Sequence, residues 1–103
     1  MDRLIAHRKQ LNESLIEKGV PQHNHDALVE YVMAGRPVGG FLQAVLSNDL
    51  RESFGRADTI NRHNLREIVE WLFNNAPANC WGSVENYKSW LVRGGLEGID
   101  NGR

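Results

Sequence analysis

Residues that break helices recur along this chain at short intervals, and between them the apolar side chains fall at helical spacing. The punctuation stands at Gly19-Val20-Pro21, Gly35-Arg36-Pro37, Asn75-Ala76-Pro77 and Gly94-Gly95. A glycine just past the last helical residue adopts the left-handed conformation that closes a helix. A proline shortly beyond has no N–H to continue it and pushes its own predecessor out of the helical region. Such a chain is restricted to brief helices joined by tight connections.

Leu4, Ile5, Leu11, Leu15 and Ile16 predict an amphipathic helix over about residues 3–18 with a narrow apolar stripe, ended by Gly19. Leu28, Val29, Val32 and Met33 predict a second helix over 25–34 with Gly35 as its stop. Phe41, Leu42, Val45 and Leu46 predict a third. Ser47-Asn48-Asp49 reads as a kink or a cap, and Leu50 with Phe54 continues an apolar face beyond it. The longest run, 59–75, is expected as one helix capped by Asp58 or Thr59, with Leu65, Ile68, Val69, Leu72 and Phe73 as its core stripe and Trp71 beside it. Ser83 caps a last helix on Val84, Tyr87, Trp90 and Leu91. No segment alternates with period two, so the expected fold is all-α, one compact domain of five or six short helices. Residues 1–18 form an N-terminal docking or oligomerisation helix in this reading, 23–94 the helical core, and 95–103 a loose tail.

A chain of 103 residues with 41% apolar and 24% charged side chains has the size and composition of one globular domain. Twelve basic and thirteen acidic residues leave a net charge of −1, which disfavours non-specific nucleic-acid binding. Arg51, Arg56, Arg62 and Arg66 recur closely enough to suggest a basic face, but Glu52, Asp58, Glu67 and Glu70 interrupt the series. No stretch reaches the roughly 18 apolar residues of a membrane span, and the amino terminus lacks the apolar run of a signal peptide. One cysteine excludes an internal disulfide and fits a reducing cytoplasm.

Chemistry-bearing residues are sparse. His23 and His25, one residue apart, cannot share a helix face, and with His7, His63 and Cys80 they make no zinc-ligand pattern, so no metal and no cofactor is expected. Cys80 precedes a helix start that could lower its pKa, yet a packed loop cysteine is the simpler reading, and no catalytic residues are assigned. Gly39-Gly40 opening into a helix beside Arg36 is more specific, because glycines let an anion approach free N–H groups at a helix start. With Phe41, Asn48, Asp49, Arg56 and Trp81 they make the candidate ligand site, a pocket for a small phosphate-bearing, nucleotide-like molecule. Leu4, Leu11 and Leu15 make the candidate interface, for a host protein or for a homo-oligomer.

The run Gly35-Arg36-Pro37-Val38-Gly39-Gly40-Phe41-Leu42, then Ala44-Val45-Leu46, Asn48-Asp49-Leu50, Ala57-Asp58 and Pro77 through Cys80-Trp81-Gly82-Ser83 to Trp90, resembles a group of small proteins of unassigned activity encoded by tailed bacteriophages and prophages. The resemblance covers about residues 27–91. It implies a setting, the cytoplasm of an infected or lysogenic bacterial host, and supplies no catalytic residues. Small accessory phage proteins commonly blunt host defences by binding. The expectation is therefore a non-enzymatic accessory protein that sequesters a nucleotide-like signal. The alternatives are an inhibitor that binds a host protein, or a small nucleic-acid binder or enzyme without a recognisable motif.

Overall fold

The stop signals act where the sequence places them. The computed structural model describes the backbone of residues 2–100 and the side chains of residues 3–98. Eight α-helices lie among the described residues, α1 Asp2–Lys18, α2 His25–Ala34, α3 Gly40–Leu46, α4 Leu50–Arg56, α5 Thr59–His63, α6 Leu65–Asn75, α7 Val84–Arg93 and α8 Gly95–Asp100. One-turn 3-10 helices occupy Gln22–Asn24 and Ala78–Cys80, and no strand is present among these residues. The all-α class holds, with more helices than the five or six expected.

Two splits raise the count. The run over 59–75 breaks at Asn64, whose backbone leaves the helical region (φ −116, ψ 17) while its side-chain amide donates to the Ile60 carbonyl at 2.8 Å. The break turns Asn61 inward, where its Oδ1 accepts a 2.6 Å hydrogen bond from the buried amide of Asn24. The expected loose tail is the second split. Residues 95–100 are helical, Leu96 packs on the core, and Glu97 accepts a hydrogen bond from Arg8 at 2.9 Å. Residues 101–103 of that tail lie outside the described residues.

Helix α2 runs through the middle of the packing. Leu28, Tyr31, Val32 and Met33 are fully buried, with α1 and α8 against its flanks. Three large side chains pin the layers through polar atoms that burial obliges to find partners. Trp71 of α6 donates Nε1–H to Ser14 Oγ of α1 at 2.8 Å, and Trp90 of α7 donates to the Tyr31 carbonyl at 2.8 Å. The Tyr31 hydroxyl donates to the Cys80 carbonyl at 2.6 Å. Among the described side chains no buried polar atom is left unpaired.

The C-terminal end closes by backbone contact. Gly35 ends α2 at φ +67, and a Cβ there would stand 2.7 Å from the Gly95 nitrogen and 2.8 Å from the Trp90 carbonyl oxygen. Only hydrogen fits. The α7–α8 corner therefore seats directly on the end of α2.

The first helix belongs to this core, which corrects its reading as a separate docking element. Leu11 and Leu15 are 2% and 0% exposed inside the chain's own packing, and Leu4 lies partly buried against it. Its outward apolar residues are Ile5 and Ile16. The apolar faces expected of α6 and α4 also shift. Trp71 takes the interior place, because Ser14 satisfies its N–H, and Phe73 on the other edge of α6 is 75% exposed. In α4 the inward residue is Ser53, with Ala57 buried just past the helix end, leaving Leu50 and Phe54 outside.

Candidate functional site

A concavity forms where the α3–α4 turn, the end of α6 and the Trp81 loop meet. Helix α3 stops at Ser47, and Asn48 adopts the left-handed conformation (φ 63), a tolerance asparagine has and most side chains lack. That reversal lets the Asp49 N–H close on the Ala44 carbonyl at 2.8 Å and leaves the Asn48 side chain outside. Asp49 then caps α4 by accepting from the Glu52 N–H at 3.1 Å.

Trp81 is held by its backbone on both sides. The Cys80 carbonyl accepts from Tyr31, the Trp81 carbonyl accepts from the Asn86 amide at 2.8 Å, and the Gly82 N–H donates to the Leu46 carbonyl at 2.8 Å. Ser83 caps α7 by accepting from the Asn86 N–H at 3.0 Å. Fastened this way, the indole meets Phe73 edge to face, with centroids 5.1 Å apart and planes at 89°. Asn48, Val69, Phe73, Ala76, Ala78, Trp81 and Gly82 line a groove of about 400 Å³. Its walls are mostly apolar, with the Asn48 amide as the polar side chain at its rim.

The eight expected ligand residues do not form one pocket. Asn48 and Trp81 share this groove. Gly40, Asp49 and Arg56 share a second, polar cleft of about 230 Å³ with Gln43 and Glu52. There Arg56 donates to Glu52 at 3.0 Å, and the Cβ position of Gly40 lies 2.8 Å from an Arg56 Nη1. The guanidinium thus lies against Gly40 at the start of α3 while paired with Glu52, and the Asp49 and Glu52 carboxylates line the same cleft. Gly39 is the cap residue of α3, and Phe41 packs partly buried on the core. Arg36 lines neither cavity. It reaches Glu30 at 3.3 Å, at the edge of a charge chain in which Arg8 joins Glu30 to Glu97.

Among titratable groups, burial pushes the Cys80 thiol up to about 12, so it stays protonated at neutral pH. Burial likewise drives the Tyr31 hydroxyl well above its ordinary range. His25 Nε2 bonds the Val20 carbonyl at 2.7 Å while His23 faces Asp58 at 3.3 Å, so the two histidines engage different partners. No set of three metal-ligating side chains converges among the described residues. No helix among them is long and apolar enough to cross a membrane.

Phe73 is the groove residue that sequence reasoning placed in the core. Periodicity assigns a side chain to a helix face, but the break at Asn64 and the Trp71–Ser14 bond decide which edge of that face turns inward. Compared with known proteins, the chain matches no family model, no curated sequence and no solved structure.

Proposed function

We propose that the chain is a non-enzymatic binding protein, a small phage-type accessory factor that sequesters a nucleotide-like molecule by its ring in the Phe73–Trp81 groove. The observation that carries this reading is an indole and an exposed phenyl ring fixed edge to face at the mouth of a cavity with an amide at its rim. At about 400 Å³ the groove falls within the roughly 300 to 1,000 Å³ of small-molecule sites. An aromatic face accepts any base by stacking, and an asparagine amide offers one donating and one accepting edge to a base. Held in a phage setting, such a protein would blunt a host defence by removing its signal from the cytoplasm.

The groove reads the ring and not the phosphate, because no basic side chain lines it. A nucleoside and its phosphates are therefore expected to bind within about threefold of one another, since the charge-assisted contacts that separate them are missing. Arg36→Ala leaves affinity unchanged. Trp81→Ala weakens it roughly tenfold to a hundredfold, the scale of one base–aromatic stack at about 1 to 3 kcal/mol.

Tryptophan fluorescence during titration with a panel of nucleosides and linear and cyclic nucleotides tests this directly. Trp71 and Trp90 are 0% and 1% exposed, so ligand-dependent quenching reports Trp81. If no member of the panel binds below about 1 mM, a binding free energy of about 4 kcal/mol, the sequestering reading fails. Recognition of a host protein then takes its place.

A further inference from the structure

Asn48 holds its unusual backbone without using its side chain. The α3–α4 reversal needs a left-handed residue at this position, and glycine would supply that at the least steric cost. The bonds that make the turn come from backbone groups and from the Asp49 carboxylate. The Asn48 N–H donates to the Val45 carbonyl at 3.1 Å, the Asp49 N–H to the Ala44 carbonyl at 2.8 Å, and the Glu52 N–H to Asp49. The Asn48 amide takes no part in them and has no partner among the described residues. Two residues earlier, the Leu46 carbonyl accepts from the Gly82 N–H at 2.8 Å, which ties this turn to the Trp81 loop. The backbone that carries the amide therefore keeps a fixed place relative to the indole.

Val69, Phe73, Ala76 and Ala78 bring no polar side-chain atom to the groove, and the Trp81 indole has only an N–H donor. Asn48 alone among the lining side chains both donates and accepts. Such a site satisfies one adjacent donor–acceptor pair on a ligand. Any further polar group is left against apolar walls, where an unmade hydrogen bond is costly. Adenine carries that pair and little else, an amino group at N6 that donates with N1 or N7 beside it to accept. Guanine adds a second amino group to its carbonyl and ring N–H. Cytosine and uracil add a ring carbonyl and offer a single ring to stack.

We propose that Asn48 is the specificity residue of this groove and that the ring it selects is adenine, the amide accepting from the N6 amino group and donating to N1 or N7. This rests on the reading of the groove as a base-stacking site. Trp81 holds a ring of any kind, and Asn48 chooses among rings. The same two-bond pairing is how asparagine reads adenine in nucleic acids. A carboxylate has nearly the shape of the amide but only accepts. At position 48 it would repel the adenine acceptor and pair with the adjacent N1–H and N2–H donors of guanine. Aspartate tolerates the left-handed region as asparagine does, so one substitution inverts the choice of base and keeps the turn.

The test follows Trp81 quenching while the full chain is titrated with adenosine, guanosine and purine riboside, which is adenosine without its 6-amino group. In the wild type, adenosine is expected to bind about threefold to tenfold more tightly than either, the scale of one hydrogen bond. Asn48→Gly keeps the turn and removes the amide, so adenosine should fall to the level of purine riboside while quenching persists. Asn48→Asp should place guanosine ahead of adenosine by about threefold or more. Thermal unfolding of both variants accompanies the titrations, and the glycine variant decides the matter if the aspartate variant does not fold. The choice of adenine by Asn48 is overturned, with the groove reading intact, if nucleosides quench Trp81 but adenosine has no advantage over purine riboside and guanosine. It is overturned in the same way if that advantage survives in Asn48→Gly, or if a folded Asn48→Asp still prefers adenosine. If no nucleoside quenches Trp81 in the wild type, the groove reading falls and this inference with it.

Discussion

Gly35 and Gly55 show how far the same residue type differs in its consequences. A methyl group at Gly35 meets backbone atoms at 2.7 to 2.9 Å in a left-handed position, so Gly35→Ala should cost about 2 to 4 kcal/mol through strain and overpacking. Gly55 lies inside α4 with nothing within 4 Å of its Cβ position, and Gly55→Ala should stabilise the protein by about 0.5 to 1 kcal/mol. Urea unfolding of the two variants checks both signs. A second residue-scale effect concerns pH. Hydrogen bonds from Lys18 and Arg66 hold the Glu70 carboxyl below its ordinary range. A depressed folded pKa contributes stability that is present above the unfolded value, about 4.3, and is lost as pH falls through the folded one. Glu70→Gln should therefore flatten the loss of stability on acidification below about pH 4, read as the urea midpoint against pH.

At the scale of elements, α8 is the segment whose structure depends most on its neighbours. Six residues are too few to stay helical alone, so its order comes from docking. Leu96 and the Gly35–Gly95 contact supply the packing. Arg8 supplies the charge, its guanidinium held between Glu97 and Glu30, where burial works against ionisation and the two carboxylates outweigh it. Because these groups are about one-third exposed, Arg8→Ala should cost only about 1 kcal/mol overall. Its signature is local. Hydrogen exchange at Gly98 and its α8 neighbours should speed up while the interior of α2 stays protected; uniform acceleration throughout would show that α8 unfolds only with the whole protein.

For the molecule as a whole, a Cα radius of gyration of 13.0 Å matches the value of about 13 Å for a compact chain of 100 residues. One core shared by α1, α2, α6 and α7 predicts one cooperative transition, with helical far-UV circular dichroism and the fluorescence of buried Trp71 and Trp90 changing together. Separate transitions would mean that the first helix unfolds on its own. Removing residues 1–18 should abolish that transition, since it strips Leu11 and Leu15 from the core and Ser14 from Trp71. Iodoacetamide should modify Cys80 only as fast as the chain unfolds, because the thiol is fully buried as well as protonated.

Local chemistry was legible in the sequence wherever a residue acts on its own backbone. Gly19, Gly35, Pro37, Pro77 and Gly94 punctuate the chain, Asp58 and Ser83 cap helices, and the apolar spacing specifies an all-α fold, because these effects span a few residues. What the sequence left open was which side of each helix turns inward and which separated residues meet. The interior position of Trp71 depends on Ser14, 57 residues away along the chain, which leaves Phe73 on the outer edge of α6, and Arg36 is taken up by Glu30. The break at Asn64 answers to the buried Asn24–Asn61 pair, and α8 answers to Gly35. A candidate site assembled from residue types gathered Arg36, Gly40 and Trp81, which folding separates. Periodicity fixes an angle about a helix axis, whereas a groove requires the relative placement of several axes, and only long-range packing supplies that.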